Sequence, residues 1–115
     1  MATEKEVEAF LRELSIKIKI FDILFLDVRG KNQQTLLDLE ISPSKRKEII
    51  LSLKVKDYSD GPLQEKMRGI LPMWIFGQNV KGKEIYIKIS MGQENGSAIC
   101  ISFHIAEHPI KYHFK

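Results

Sequence analysis

A β-hairpin pattern over residues 84–105 constrains the fold of this chain more than any other feature. Two apolar runs alternate there with period two, and a polar turn bounded by glycines separates them. This pattern is typical of two antiparallel strands that bury one face. The predicted buried residues are Ile85, Ile87, Ile89, Met91, Ile99, Ile101, Phe103 and Ile105. We therefore expect a hairpin whose apolar face packs on other elements.

The opposite hairpin face carries chemically active side chains. Its predicted members are Tyr86, Lys88, Ser90, Cys100, Ser102 and His104. In the register that we predict, Tyr86 faces Ser102 and His104 lies diagonal to Tyr86, about 7–8 Å away. No acid lies between Tyr86 and Ser90 to neutralise a bound phosphate. A phenol, an ammonium and an imidazole on one face indicate a candidate site.

Helix signals dominate the N-terminal half. Thr3 and Glu6 match the capping-box pattern, and apolar residues at helical spacing then predict a helix over 4–14. Strict alternation follows, which favours a strand over about 16–27. A short helix is predicted over 33–39.

Further elements complete the predicted fold. Ser42 before Pro43 is typical of a helix start, which predicts a helix over about 43–53. Turn residues fill 57–62. A strand is predicted over 73–80, where we interpret Trp74 and Phe76 as core residues rather than a base-stacking platform. The 115 residues (1–115) form a single α+β domain, a two-layer sandwich with short N-terminal helices packed on an antiparallel sheet.

Composition excludes several classes. Hydrophobic residues make up 43% and charged residues 29%, which argues against disorder. The single cysteine excludes an internal disulfide, and no apolar run reaches the ~18 residues of a membrane span. With a polar N-terminus unlike a signal peptide, we expect a cytoplasmic protein without a membrane partner. The net charge of +3 permits a nucleic-acid partner.

Metal and thiol chemistry do not fit the spacing. On a strand, residues four positions apart are separated by about 13 Å, too far for His104 and His108 to share a zinc ion while both are extended. The same separation argues against a nucleophilic pair of Cys100 and His104. No glycine-rich phosphate-binding motif is present. We expect neither a metal nor a cofactor.

Several of these residues together resemble the MqsR family of toxins from type II toxin–antitoxin systems, relatives of the RelE-type messenger-RNA interferases. The resemblance covers roughly residues 7–105. The residues that carry it are Asp57-Tyr58, Trp74, the run from Gly82 to Ile89, and Ser102-Phe103-His104. The chain departs from the family at two points, with Ser59-Asp60 in place of a tyrosine and a lysine, and Ile75 in place of a glutamine.

The resemblance implies a RelE/MqsR-like fold and a metal-independent endoribonuclease that cleaves single-stranded messenger RNA, free or on the ribosome. Its implied partner is a cognate antitoxin. Tyr86 matches the family tyrosine, and His104 falls where the family has a last-strand lysine. Lys56 and Arg68 are the cations available for the missing lysine. We thus assign catalytic roles to Tyr86, His104 and Lys56, and substrate binding to Lys88 and Arg68.

Two other functions remain open from sequence. A non-catalytic α+β module can use the polar face of the 84–105 hairpin to bind nucleic acid or a protein. The same face can also be the interface of a structural heterodimer. Alternatively, Tyr86, Lys88 and His104 are only the solvated side of an antiparallel sheet, which commonly leaves one polar face in water.

Overall fold

The structure, a computed structural model, describes residues 1–26, 30–64 and 69–115. Arg68 lies outside the described residues. In chain order the elements are α1 (Glu4–Phe21), β1 (Ile23–Phe25), α2 (Gly30–Leu39), α3 (Lys45–Leu51), a 3-10 helix (Val55–Asp57), β2 (Tyr58–Leu63), β3 (Met73–Val80), β4 (Lys83–Ser90) and β5 (Ala98–Ile105).

The five strands form one sheet in the order β1-β5-β4-β3-β2, antiparallel except for the β1–β5 pair. The helices pack with one face of this sheet around a single core, as predicted for a two-layer α+β sandwich. Phe10 of α1 belongs to this core and stacks on the partly buried Trp74 with ring centroids 4.4 Å apart. Trp74 packs against the core and Phe76 is fully buried within it, so the core interpretation of both residues is confirmed.

Helix α1 extends to Phe21, so the predicted strand over 16–27 is wrong over 16–22 and at 26, and only Ile23–Phe25 is a strand. The last residue of the predicted strand, 27, lies outside the described residues. The capping box of Thr3 and Glu6 is confirmed. The helix continues because Ile18 extends the buried stripe of this face, whereas the alternating Ile16 and Ile20 remain 53% and 68% exposed. Packing of the stripe outweighs local β propensity. None of the described helices is long and apolar enough to cross a membrane.

The predicted turn over 57–62 is also wrong, because Tyr58–Leu63 forms edge strand β2. Two register shifts against β3 accommodate its turn-forming residues. Gly61 has a φ of 118°, and a Cβ there would meet the Met73 carbonyl oxygen, so this irregular edge requires glycine. The third predicted helix starts later than expected, at Lys45 rather than Pro43.

The antiparallel hairpin over 84–105 is confirmed, but its register differs from the prediction. Tyr86 pairs with His104 and Lys88 with Ser102, whereas Ile89 pairs with Cys100. The β5 strand therefore holds one extra residue, Ile101, in a bulge.

The bulge changes which side chains reach the core. Cys100 and Ala98 belong to the core, although Cys100 was predicted on the polar face. Ile99 is only half-buried and Ile101, although buried, lies outside the core cluster. The prediction that Ile99 and Ile101 share the face of Ile85 and Ile87 is wrong because it assumed uninterrupted alternation.

Helix α2 lies along β5 where β1 ends. The buried Asn32 side chain donates to the carbonyl oxygens of Leu26 (3.0 Å) and Ile101 (3.5 Å) and accepts from the Phe103 amide at 3.1 Å. Thr35 accepts from the Ile105 amide at 3.1 Å. These side chains satisfy backbone groups that a neighbouring strand would otherwise pair with.

We predict that Asn32→Ala lowers the free energy of unfolding by about 1–3 kcal/mol, because it leaves the buried Phe103 amide without its acceptor. Urea unfolding measures the change. Gln34→Ala, on the exposed side of the same helix, is the matched control and should shift stability by about 0.5 kcal/mol or less. Equal losses in the two variants would contradict a special role for Asn32.

Candidate functional site

An open cleft of about 1140 Å³ lies on the sheet face that the helices leave uncovered. Three predicted site residues, Tyr86, Lys88 and His104, line it together with Ser102 from the same face. They project there because Ile85 and Ile87, the alternate residues of β4, are fully buried in the core. The fold thus brings the predicted phenol, ammonium and imidazole into one cavity.

Tyr86 and His104 are in closer contact than the sequence predicted. They are directly opposed across β4 and β5, and their rings stack with centroids 5.3 Å apart and an interplanar angle of 22°. The expected diagonal arrangement is wrong by two residues. Ser90 already pairs one residue further along β5 than predicted, with Ile99, and the bulge adds the second residue. Stacking restrains both rings and fixes where the phenol and imidazole edges lie.

One hydrogen bond of His104 indicates the tautomer of its neutral ring. Its Nδ1 lies 3.0 Å from the carbonyl oxygen of Ile105. Because a carbonyl can only accept, Nδ1 carries the hydrogen in this contact and Nε2 is left as the basic nitrogen. In this tautomer of the neutral ring, Nε2 can accept a proton.

Tyr86 remains protonated over a wide pH range. Its side chain is half-buried, and burial raises the pKa of its hydroxyl, with a further increase from the negative charge of Asp60. The Lys88 ammonium lies 6.0 Å from the centre of the Tyr86 ring. The cleft floor therefore combines a hydroxyl donor with a nearby fixed positive charge.

Two carboxylates also line the cleft, although no acid lies between Tyr86 and Ser90 of β4. Asp60 comes from β2, and Glu107 follows β5. Glu107 forms an ion pair with Lys31 at the start of α2, and this hydrogen bond is the main reason that the Glu107 pKa is lowered. Further lowering comes from His104 and His108, which line the same cleft.

Residues 106–115 form one wall of the cleft. Glu84 holds this segment by accepting hydrogen bonds from the Ile110 amide (3.1 Å) and the Tyr112 hydroxyl (2.9 Å). Beyond the cleft, Phe114 packs against the core and stacks on the buried Tyr58 with ring centroids 5.6 Å apart. The segment is thus fixed at both sides of the wall.

Not every predicted site residue reaches the cleft. Lys56 is exposed on the 3-10 helix and does not line the cavity, so its predicted catalytic position is not supported by the geometry. Cys100 faces the core while His104 faces the cleft, so they do not form a pair. Within the described ranges, no cluster of three or more His, Cys, Asp or Glu side chains could hold a metal ion.

Sequence reasoning missed most of the cleft walls. The residues it did not assign to the site include Lys31, Asp60, Glu107, His108, Lys111 and His113. One signal was present, since lysines and a histidine without an acid follow residue 110. The sequence carries no comparable signal that Lys31 and Asp60 line the cleft, because their positions depend on packing between distant segments.

Comparison of the chain with protein-family models, with curated proteins and with solved structures gave no match.

We predict that Asp60→Asn lowers the pKa of Tyr86, because it removes the negative charge that opposes tyrosinate formation. The pKa should stay above the ordinary tyrosine value, since burial is the larger cause of the shift. Absorbance titration at alkaline pH measures it, with Tyr86→Phe identifying the transition among the three tyrosines. An unchanged Tyr86 transition in Asp60→Asn would contradict this interaction.

Proposed function

We propose that this protein is a metal-independent endoribonuclease that cleaves single-stranded RNA in the cleft. The observation that carries the proposal is the His104 imidazole, which stacks on Tyr86 in an open cleft and keeps Nε2 as its basic nitrogen. Lysine ammonium groups in the same cavity suit a phosphodiester substrate.

Cleavage begins when His104 Nε2 removes the proton from a ribose 2′-hydroxyl. The 2′-oxygen then attacks the adjacent phosphorus, and the bond from phosphorus to the 5′-oxygen of the next nucleotide breaks. The products are a 2′,3′-cyclic phosphate and a 5′-hydroxyl, so the step consumes neither water nor a redox partner. A positioned base of this kind contributes about 10²–10⁴-fold to the rate.

The other cleft groups stabilise the charged transition state and protonate the leaving group. Lys88 stabilises the negative charge that develops on the phosphate, and the protonated Tyr86 hydroxyl donates a hydrogen bond to it. His108 supplies the second imidazole, which protonates the leaving 5′-oxygen. Lys31 binds the phosphate in place of Lys56, to which we assigned a catalytic role from sequence, because Lys31 lines the cleft and Lys56 does not.

We further propose that the nuclease acts as a toxin in the cytoplasm and is neutralised by a cognate antitoxin. This part of the proposal rests on the resemblance to the MqsR family, of which the cleft retains Tyr86, with His104 where the family has a lysine. The substrate is messenger RNA, either free or bound to the ribosome.

We predict that His104→Ala lowers RNA cleavage by about 10²–10⁴-fold, because the proton acceptor is lost. Lys88→Ala should also reduce the rate, whereas Tyr86→Phe tests the hydroxyl and retains the ring. The assay follows a labelled single-stranded RNA in the presence of EDTA. Lys45→Ala, an exposed lysine on α3, is the control and should cleave at the wild-type rate.

Two results would overturn the proposed chemistry: cleavage that EDTA abolishes, and full-rate cleavage by His104→Ala. If the wild type binds the RNA without cleaving it, the non-catalytic binding module becomes the better description.

We predict that induced expression of the wild-type chain arrests bacterial growth, because the nuclease degrades messenger RNA. His104→Ala, matched for expression level, should permit growth. Co-expression of the gene adjacent to the toxin gene should relieve the arrest. Equal growth arrest by the wild type and His104→Ala would show that the toxicity does not depend on His104 in the cleft. Growth with both chains would contradict the toxin proposal.

A further inference from the structure

The cleft wall formed by residues 106–115 belongs to no helix or strand, yet it carries one of the three lysines and two of the three histidines that line the cavity. Lys111 and the imidazoles of His108 and His113 line it. The one acid of this wall, Glu107, is already paired with Lys31. A basic wall beside the proposed reaction centre suits the phosphates of a strand that extends beyond the scissile bond.

Glu84 binds this wall at three points. Its backbone carbonyl accepts from the Ala106 amide at 2.9 Å, Oε1 accepts from the Ile110 amide at 3.1 Å, and Oε2 accepts from the Tyr112 hydroxyl at 2.9 Å. Tyr112 also lies over Gly77, where any Cβ would collide with the Tyr112 hydroxyl. Both carboxylate oxygens are thus committed to the segment.

We propose that Glu84 is a positioning residue that holds the 106–115 wall in place to bind the RNA phosphates flanking the scissile one. This inference rests on the proposed nuclease function and extends it to the nucleotides outside the reaction centre. Glu84 does not contact the substrate in this role, because its oxygens are occupied by Ile110 and Tyr112. It acts through Lys111, the lysine of the wall that lines the cleft.

The direction in which RNA affinity changes when Glu84 is removed distinguishes a positioning role from a purely electrostatic one. Glu84 is an acid close to a site for a polyanion, so its removal would tighten RNA binding if charge alone mattered. If Glu84 holds the wall, its removal weakens binding, because Lys111 loses its fixed position. The two expectations are opposite for the same substitution.

The experiment measures binding of a fluorescent single-stranded RNA over a range of salt concentrations, together with kcat and KM for cleavage. For Glu84→Ala we expect weaker binding, a higher KM and a lower kcat, because the proposed acid His108 belongs to the same wall. The slope of log affinity against log salt should become shallower by about 0.7, the loss of one phosphate contact on a single strand. Lys111→Ala should change the slope equally, and the double variant should show little further change.

Three companion variants control the test. Glu84→Gln should restore wild-type binding, since its amide oxygen can accept from Ile110 and its amide nitrogen can donate to the Tyr112 oxygen. Tyr112→Phe removes only one hydrogen bond and should have a smaller effect of the same sign. Glu48→Ala removes an exposed acid of α3, outside the cleft, and should leave the salt slope unchanged.

The outcomes distinguish this inference from the nuclease proposal. Tighter binding or an unchanged salt slope in folded Glu84→Ala, with a wild type that cleaves RNA, overturns the positioning role alone. A fall in kcat at constant KM also overturns it. A wild type that neither binds nor cleaves the RNA removes both proposals together.

Discussion

The pairing of β4 with β5 is the interaction on which the remaining structure depends. Each isoleucine of β4 that enters the core contributes about 1.5–3 kcal/mol by burial, so the strand cannot rotate or slip by one residue without losing several such terms. This constraint fixes Tyr86 and Lys88 on the opposite face. Burial of the isoleucines on one face of β4 therefore determines where the cleft side chains on the opposite face lie.

The bulge at Ile101 lets β5 meet two different requirements. Before the bulge, Ala98 and Cys100 face the core. Both pair with β1, and Cys100 also pairs with Ile89 of β4. After the bulge, Phe103 faces the core and His104 faces the cleft. A regular strand would place Ile99 and Phe103 on the same face. The extra residue thus provides the direct opposition of His104 and Tyr86, on which the proposed proton transfer depends.

Segments without regular pairing partners complete the site through side-chain hydrogen bonds. Asn32 and Thr35 of α2 satisfy the outer edge of β5, which places Lys31 beside the cleft. Glu84 performs the corresponding task for residues 106–115. In both cases one polar residue per contact fixes a whole segment, because buried or half-buried backbone groups must be paired. The positions of the cleft charges follow from these few bonds.

The sequence by itself determined the α+β class, the hairpin over 84–105 and the common face of Tyr86, Lys88 and His104, because alternation with period two assigns faces locally. It also determined the N-terminal capping box, which needs only Thr3 and Glu6. Tertiary structure decided the rest. The helical state of residues 16–21 follows from burial of Ile18, the register from a bulge that has no local signature, and the cleft walls from contacts between residues up to 76 positions apart, such as Lys31 and Glu107. Local patterns carry no information about such distant pairs.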